Sequence, residues 1–324
     1  SSDWNFAVGN AARLYDALST YPVTLADVAQ RIGQGIRTSA NDVFVVDVRG
    51  MHNGLCVAYS TFLNAEVQIE PDLLLHFLQG RAIKAFHILP SDKHVLVPYQ
   101  LADSRMRLIE EDQLRSSFPA TFDYLLACRV RLEQREGGKM RRSGWYGYVY
   151  PKNLEVMMSP KIIVPDIADR AAFAYDVLGE YAFTSGYGIT LRPDVQESPW
   201  YVLAVLNSRL LTMYLKHVST PLRGGFFRYF TQFVEQLPIR RIDFSLSADR
   251  TRHDMLTEQA RRMTNLHQKV SETRTAHERA MIERELDAVS QQIDREVFNL
   301  YGFEEHDMPV ADLRRPGLPS SSGD

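Results

Sequence analysis

Residues Ser198 to Ile239 read SPWYVLAVLNSRLLTMYLKHVSTPLRGGFFRYFTQFVEQLPI. The first half carries the local signals of a helix. The Ser198 hydroxyl can accept an orphan backbone N–H, and Pro199 suits the first helical position, where its missing N–H costs nothing. Val202, Leu203, Leu206, Leu210 and Met213 recur at helical spacing and predict one buried stripe, fading at His217 to Ser219, before Pro221. The second half is different chemistry. Arg223-Gly224-Gly225 and Phe226-Phe227-Arg228-Tyr229 set two glycines among cations and aromatics. Glycine lets a backbone take positive φ or approach another surface closely, and arginine beside it can reach phosphate oxygens or guanine edges. From Asn207 to Arg241 there are six basic residues (Arg209, Lys216, Arg223, Arg228, Arg240, Arg241) against one acid, Glu235, in a chain of net charge -3. Such clustering is the electrostatic footprint of a polyanion partner.

The 324 residues suffice for a sizeable core, and 45% hydrophobic with 24% charged is ordinary for a soluble globular protein. No apolar run approaches a membrane span, and no charged-then-apolar leader opens the chain. Cys56 and Cys128 are too few for a disulfide framework and are read as buried thiols in a cytoplasmic protein. The chain opens on Ser1, not Met, and an excised piece of a longer protein is expected.

Working outward, residues 1 to 20 (Trp4, Phe6, Leu14, Tyr15, Leu18) predict an amphipathic helix. Thr24 to Ala29 gives a helical turn or a strand entry, and Arg31 to Asp42 a glycine and polar loop feeding the strand Val43 to Val46. That loop is either a DNA contact through Arg37, Thr38 and Asn41 or a solvated turn. Asn53-Gly54 signals a hairpin, with strands also expected at Glu66 to Glu70 and Val95 to Tyr99. In Leu78 to Phe86, Arg81 and Lys84 flank a glycine and can touch phosphate or pair with surface acids. Residues 106 to 135 are helical in tone, and a new helix is expected at Phe118-Pro119.

Arg129 to Arg142 holds six basic residues against two acids around Gly137-Gly138, followed by Trp145-Tyr146. Arg141, Arg142 and Trp145 suit a nucleic acid; a solvated helix end before core aromatics is the other reading. Lys161 to Pro165 reads as a buried strand, and Phe173 to Asp176 with Tyr181 to Phe183 as a strand pair turning at Gly179. From Ser245 to Tyr301 there is no Gly or Pro, and apolar spacings of three and four predict two helices split at the capping box Thr275 to Glu278, with Gly302 as the terminator. The reading is α+β: a mixed, mostly antiparallel sheet region over residues 1–244, a helical hairpin over 245–303 and a disordered tail over 304–324.

Catalytic signatures are missing. There is no Asn/Asp/Ser-Pro-Pro-aromatic motif, P-loop, His-Glu-x-x-His, Cys-x-x-Cys pair, Gly-x-Ser-x-Gly or Glu-x-Lys, and no glycine-rich turn for S-adenosylmethionine. No catalytic and no metal-ligating residue is assigned.

Several segments, in order, resemble the C-terminal specificity region of TaqI-like and Eco57I-like adenine-N6 DNA methyltransferases, including fused bacterial restriction–modification enzymes. They are Gly35 to Val45, Phe77 to Lys84, Trp145-Tyr146, Pro160 to Pro165, Leu206 to Leu210, Arg223 to Gly225, Leu237 to Ile239 and Val297 to Phe303. Ser39 stands where that family often has glycine, and Ala82 where it often has an acid. The resemblance implies a target-recognition domain that grips double-stranded DNA. An N-terminal methyltransferase domain, in the same parent chain or a separate subunit, would bind S-adenosylmethionine and flip the adenine. The expected contacts are Arg37, Thr38, Arg81, Lys84, Arg141, Arg142, Trp145, Arg223, Gly224, Gly225 and Arg228. Two other functions compete: an assembly subunit acting through its C-terminal helices, and a nuclease with an unrecognised site.

Overall fold

Asn53 and Gly54 take φ of 48° and 81°, the left-handed pair that a two-residue hairpin needs, and join Val45–His52 to Leu55–Ser60. This hairpin is the seed of a six-stranded sheet in the computed structural model, which describes residues 12–103 and 105–304. The strand order is Tyr181–Phe183, Leu74–Leu78, Lys93–Leu96, Val45–His52, Leu55–Ser60, Ala65–Ile69. The Tyr181–Phe183 edge is parallel to its neighbour and the other pairings are antiparallel. A second, four-stranded antiparallel sheet runs Ala29–Gln34, Tyr187–Leu191, Lys161–Val164, Ala174–Asp176. The class is α+β, as the sequence suggested.

Two hydrophobic cores flank the second sheet. Ile162, Val164 and Ile189 face one core and Ile163 and Ala174 the other. Successive strand residues point to opposite faces, so a strand apolar at consecutive positions serves both sides. Lys161–Val164 is accordingly buried at every position. The first core holds Leu14 and Leu18 of the helix over residues 12–19, the helices Pro199–Asn207 and Arg209–Val218, and the long pair Ser247–Glu272 and Ala276–Leu300. The second holds the six-stranded sheet and the helices Glu111–Ser117, Pro119–Ala127 and Arg129–Glu133. Trp4, Phe6 and the tail beyond Glu304 lie outside the described residues.

Three local expectations are corrected. The segment read as a loop from Arg31 begins inside the strand Ala29–Gln34, which finds its partner in Tyr187–Leu191, far away in sequence. Val43 and Phe44 belong to a helical turn, Asn41–Phe44, and the strand starts at Val45. Ala174–Asp176 and Tyr181–Phe183 do not pair; they lie in different sheets. The Asp176 carboxylate accepts N–H groups of Gly179, Glu180 and Tyr181 and so turns the chain out of one sheet toward the other. It is fixed by the buried Lys161 ammonium at 2.5 Å.

The helix anticipated from Ser198 is two helices. Ser198 caps the first by accepting the Trp200 N–H, with Pro199 at its first position. At Ser208 the backbone becomes extended (ψ 155°) and the hydroxyl accepts the Leu211 N–H, starting a second helix. Asn207 at the break holds Phe173 through both its backbone N–H and its carbonyl. The C-terminal hairpin has the anticipated capping box, Thr275 accepting the Glu278 N–H at 3.3 Å, and Gly302 follows at φ 77°.

Candidate nucleic-acid interface

The two sheets meet where glycines allow backbones to touch. A Cβ on Gly35 would lie 2.4 Å from the Phe183 carbonyl oxygen, and one on Gly186 would lie 2.5 Å from that of Val164. Gly35 and Ile36 donate to the Gly186 and Phe183 carbonyls, fixing the exposed Arg37 beside this seam. Gly80 packs on the same seam: its Cβ position is 3.5 Å from Pro165 and from the Ser185 carbonyl oxygen. The neighbouring Arg81 is exposed.

The residues after Ser219 complete the group. Pro221 bridges Phe227, and Leu222 donates to the Phe226 carbonyl at 2.7 Å, so Arg223-Gly224-Gly225 is the exposed turn of a small hairpin. Gly224 and Gly225 take φ of 80° and 79°. The returning strand Phe227–Arg228 pairs with Ile167–Ala168, and the Tyr229 N–H donates to the Asp166 carbonyl. The Arg228 guanidinium lies 4.9 Å from the Phe230 ring centroid, and Phe230 meets Tyr187 edge-on at 6.4 Å. Burial pushes the Tyr187 hydroxyl pKa up, the nearby Asp166 carboxylate adds to this, and Arg37 opposes it. Arg37, Tyr187, Phe230, Arg228 and the Asp166–Ile167 strand entry with Gly80 thus form a continuous chain of neighbours. It runs from the Arg37 loop through the glycine hairpin to Arg81.

Charge pairing separates the arginines. Among the described residues, Arg37, Arg81, Lys84, Arg141, Arg142, Lys216, Arg223 and Arg228 form no ion pair with a carboxylate. Others in the basic stretches are committed to the fold. Arg240 and Arg241 pair with Asp249 and Glu197, and Arg129 with Glu133. Arg131 clasps Asp42 through two nitrogens at 2.9 and 3.0 Å. Of the six cations counted between Asn207 and Arg241, Lys216, Arg223 and Arg228 therefore remain without a carboxylate among the described residues, Arg209 also having a partner.

Not every expected contact stands at this surface. Thr38 is fully buried: its hydroxyl donates to Asn41 at 2.5 Å and accepts the Ala40 N–H. Trp145 is 2% exposed, with Arg129 over its ring. Their polar atoms or rings complete the second core and are not presented to a ligand. Arg141 and Arg142 are exposed on the loop between Arg135 and Trp145, which the Arg135 guanidinium joins to the Arg37–Thr38 segment through the Thr38, Trp145 and Gly147 carbonyls. Lys84 is exposed on the short ladder Ile83–Lys84 with His87–Ile88, which leans on the Ser247–Glu272 helix through stacked His87 and His267 rings 3.9 Å apart. Lys216, above the Phe227 ring at 5.5 Å, was not singled out, although its place in an acid-free run from Lys216 to Phe230 could have marked it. Tyr187 and Phe230 were also missed, and only the folded seam brings them together.

Comparison with known proteins places this geometry in a family. A model described as the TaqI-like C-terminal specificity domain matches residues 75–239, which include Arg81, Gly186 and the glycine hairpin but not Gly35 or Arg37. The type II restriction enzyme and methyltransferase RM.Eco57I of Escherichia coli is 23% identical over 86% of this chain and 29% of its own length. The type II methyltransferases M.XhoI of Xanthomonas vasicola and M.BstVI of Geobacillus stearothermophilus are 22% and 25% identical, over 74% and 67% of this chain and 39% and 34% of theirs. The chain therefore spans about a third of the length of these relatives. With half of its residues covered by the family model, the chain belongs to the TaqI-like C-terminal specificity domains.

Proposed function

We propose that this chain is the DNA sequence-recognition part of an adenine-N6 methyltransferase or fused type II restriction–modification enzyme. Its unpaired cations grip duplex DNA, and a separate domain that binds S-adenosylmethionine methylates the adenine. The observation that carries the reading is the sorting of arginines. Those that pair with carboxylates hold the fold together, while Arg37, Arg81, Arg223 and Arg228 stay unpaired along one seam. Exposed cations without carboxylate partners are available to an anion, and a duplex supplies phosphates at regular spacing. Arginine forks at Arg223 and Arg228 suit phosphate oxygens or guanine edges. The relatives, whose names are those of methyltransferases, supply the context for the second domain.

The test is duplex binding by the chain across salt concentrations. Each neutralised phosphate contributes roughly 0.9 to the slope of log affinity against log salt. A slope of about three or more supports the grip; equal binding at 50 and 500 mM salt (values chosen to bracket the ~0.15 M physiological range) contradicts it.

An assembly role for the C-terminal hairpin is favoured by one observation: residues 271–281 carry no buried side chain, so the hairpin tip stands clear of the body. A partner docking there is compatible with DNA bound at the seam.

A further inference from the structure

Of the four aromatics that follow the Arg223-Gly224-Gly225 turn, three are anchored. Tyr229 is buried, Phe230 packs against Tyr187, and Phe227 packs on the first core beneath Lys216. Phe226 is the exception, 42% exposed at the mouth of the turn. A single exposed apolar side chain is ordinary on a protein surface. Three features distinguish this one. The stem that presents it is fixed on both sides: Ser219 donates to the Arg228 carbonyl at 2.6 Å, Leu222 to that of Phe226, and Phe227–Arg228 is laddered to Ile167–Ala168. The turn itself is narrow: Gly224 and Gly225 bring no side chains to its tip, the Phe226 ring lies 3.4 Å from a Cβ position on Gly224, and nothing lies within 4 Å of one on Gly225. Its neighbours along the chain are cationic: Lys216, Arg223 and Arg228 flank it, and no Asp or Glu occurs between Lys216 and Phe230, while Asp166 and Asp169 bracket the strand paired to Phe227–Arg228.

We propose that Phe226 is a wedge that enters the base stack of the bound duplex. The proposal rests on the nucleic-acid reading above and goes beyond it. A slim turn on a fixed stem can follow a groove to its floor. Cations at either side hold the phosphates that flank it, and the phenyl ring then stacks on a base edge or inserts at a step. Partial unstacking is unfavourable and is offset by ring stacking and by the phosphate contacts that a kinked duplex allows. The step most readily opened is a flexible pyrimidine–purine step. Phe226 would thereby contribute specificity through deformability at a position that no polar side chain reads.

The experiment uses the whole chain and a duplex enriched from a random library by binding to it. 2-Aminopurine replaces adenine at successive positions, and its fluorescence rises when its neighbours unstack. This chain is tested without a methyltransferase partner, so any rise comes from its own contacts. The expected result is a rise of at least threefold confined to one or two adjacent positions, lost in Phe226→Ala and kept in Phe226→Trp, with Phe226→Ala affinity reduced less than tenfold. A rise that survives in Phe226→Ala assigns the wedge elsewhere and overturns the proposal. Tight, salt-dependent binding by the unaltered chain with no rise at any position overturns the wedge and leaves the grip standing. Failure of the unaltered chain to bind or enrich any duplex overturns both.

Discussion

The Arg135 guanidinium sits 3% exposed among the carbonyl oxygens of Leu132, Thr38, Trp145 and Gly147, at 2.7 to 2.9 Å, with no carboxylate partner among the described residues and the Phe44 ring 5.4 Å away. Desolvation pulls its pKa down to about 10, which still leaves it charged at neutral pH. It staples the end of the Arg37–Thr38 loop to the Trp145 turn. Arg135→Met should therefore destabilise the chain by roughly 3 kcal/mol or more, because each stranded buried carbonyl costs ~1–3 kcal/mol. Urea unfolding measures this, and a loss under 1 kcal/mol would mean the carbonyls find other donors. Arg223 is the opposite case, exposed and unpaired. Arg223→Ala should leave stability unchanged and weaken DNA binding by ~1–3 kcal/mol. The loss falls on one base if the side chain reads guanine, and on all sequences alike if it holds phosphate. Unaltered affinity would remove the glycine hairpin from the contact surface. The residue types of this surface were legible in the sequence, but their division was not. Arg131, Arg240 and Arg241 are neutralised by Asp42, Asp249 and Glu197, which are 89, 9 and 44 positions away, and separations of that kind are set by the fold. Trp145 and Thr38 misled for the same reason: an aromatic or hydroxyl beside cations looks alike in sequence whether it faces solvent or the core.

Elements announced by local chemistry were read correctly, since caps and turns act within a few residues. The Ser198 cap, the Asn53-Gly54 hairpin and the Thr275 box all depend on groups at most three positions apart. Elements defined by distant partners were not, as with Ala29–Gln34, whose strand character comes from Tyr187–Leu191. The seam between the sheets has the same origin. Gly186, at φ 142° and with no room for a Cβ beside the Val164 carbonyl, should lose ~1–3 kcal/mol from backbone strain alone on substitution by alanine. The melting temperature of that variant should fall, and DNA affinity with it, because Arg37 and Arg81 both depend on this seam. A Gly186→Ala protein as stable as the parent would show that the seam relaxes freely.

Across the whole molecule, the C-terminal hairpin is part of the first core. Leu256, Ala260, Val297 and Phe298 are buried with Tyr201 to Leu206. Deleting residues 245–304 should therefore abolish cooperative unfolding by circular dichroism; an intact transition would make the hairpin a separable module. The hairpin also gives the molecule an acid limit. His267 stacks on His87 at 3.9 Å, and burial together with the His87 charge lowers its pKa to about 4. The unfolded chain, near 6.5, binds the proton more readily, so stability is full above about pH 6.5 and falls as pH drops toward 4. His267→Gln should flatten that part of the stability profile, and an unchanged profile would assign it to other groups. The central claim, that unpaired cations along the seam hold a duplex while paired ones hold the fold, is tested most directly by salt titrations of two variant sets. Replacing Arg37, Arg81, Arg223 and Arg228 by glutamine one at a time should lower the log–log salt slope by roughly 0.9 for each phosphate no longer neutralised. Replacing Arg131 or Arg240 should lower stability and leave the slope unchanged. Equal slopes in both sets, or a parent chain whose binding ignores salt, would contradict the account.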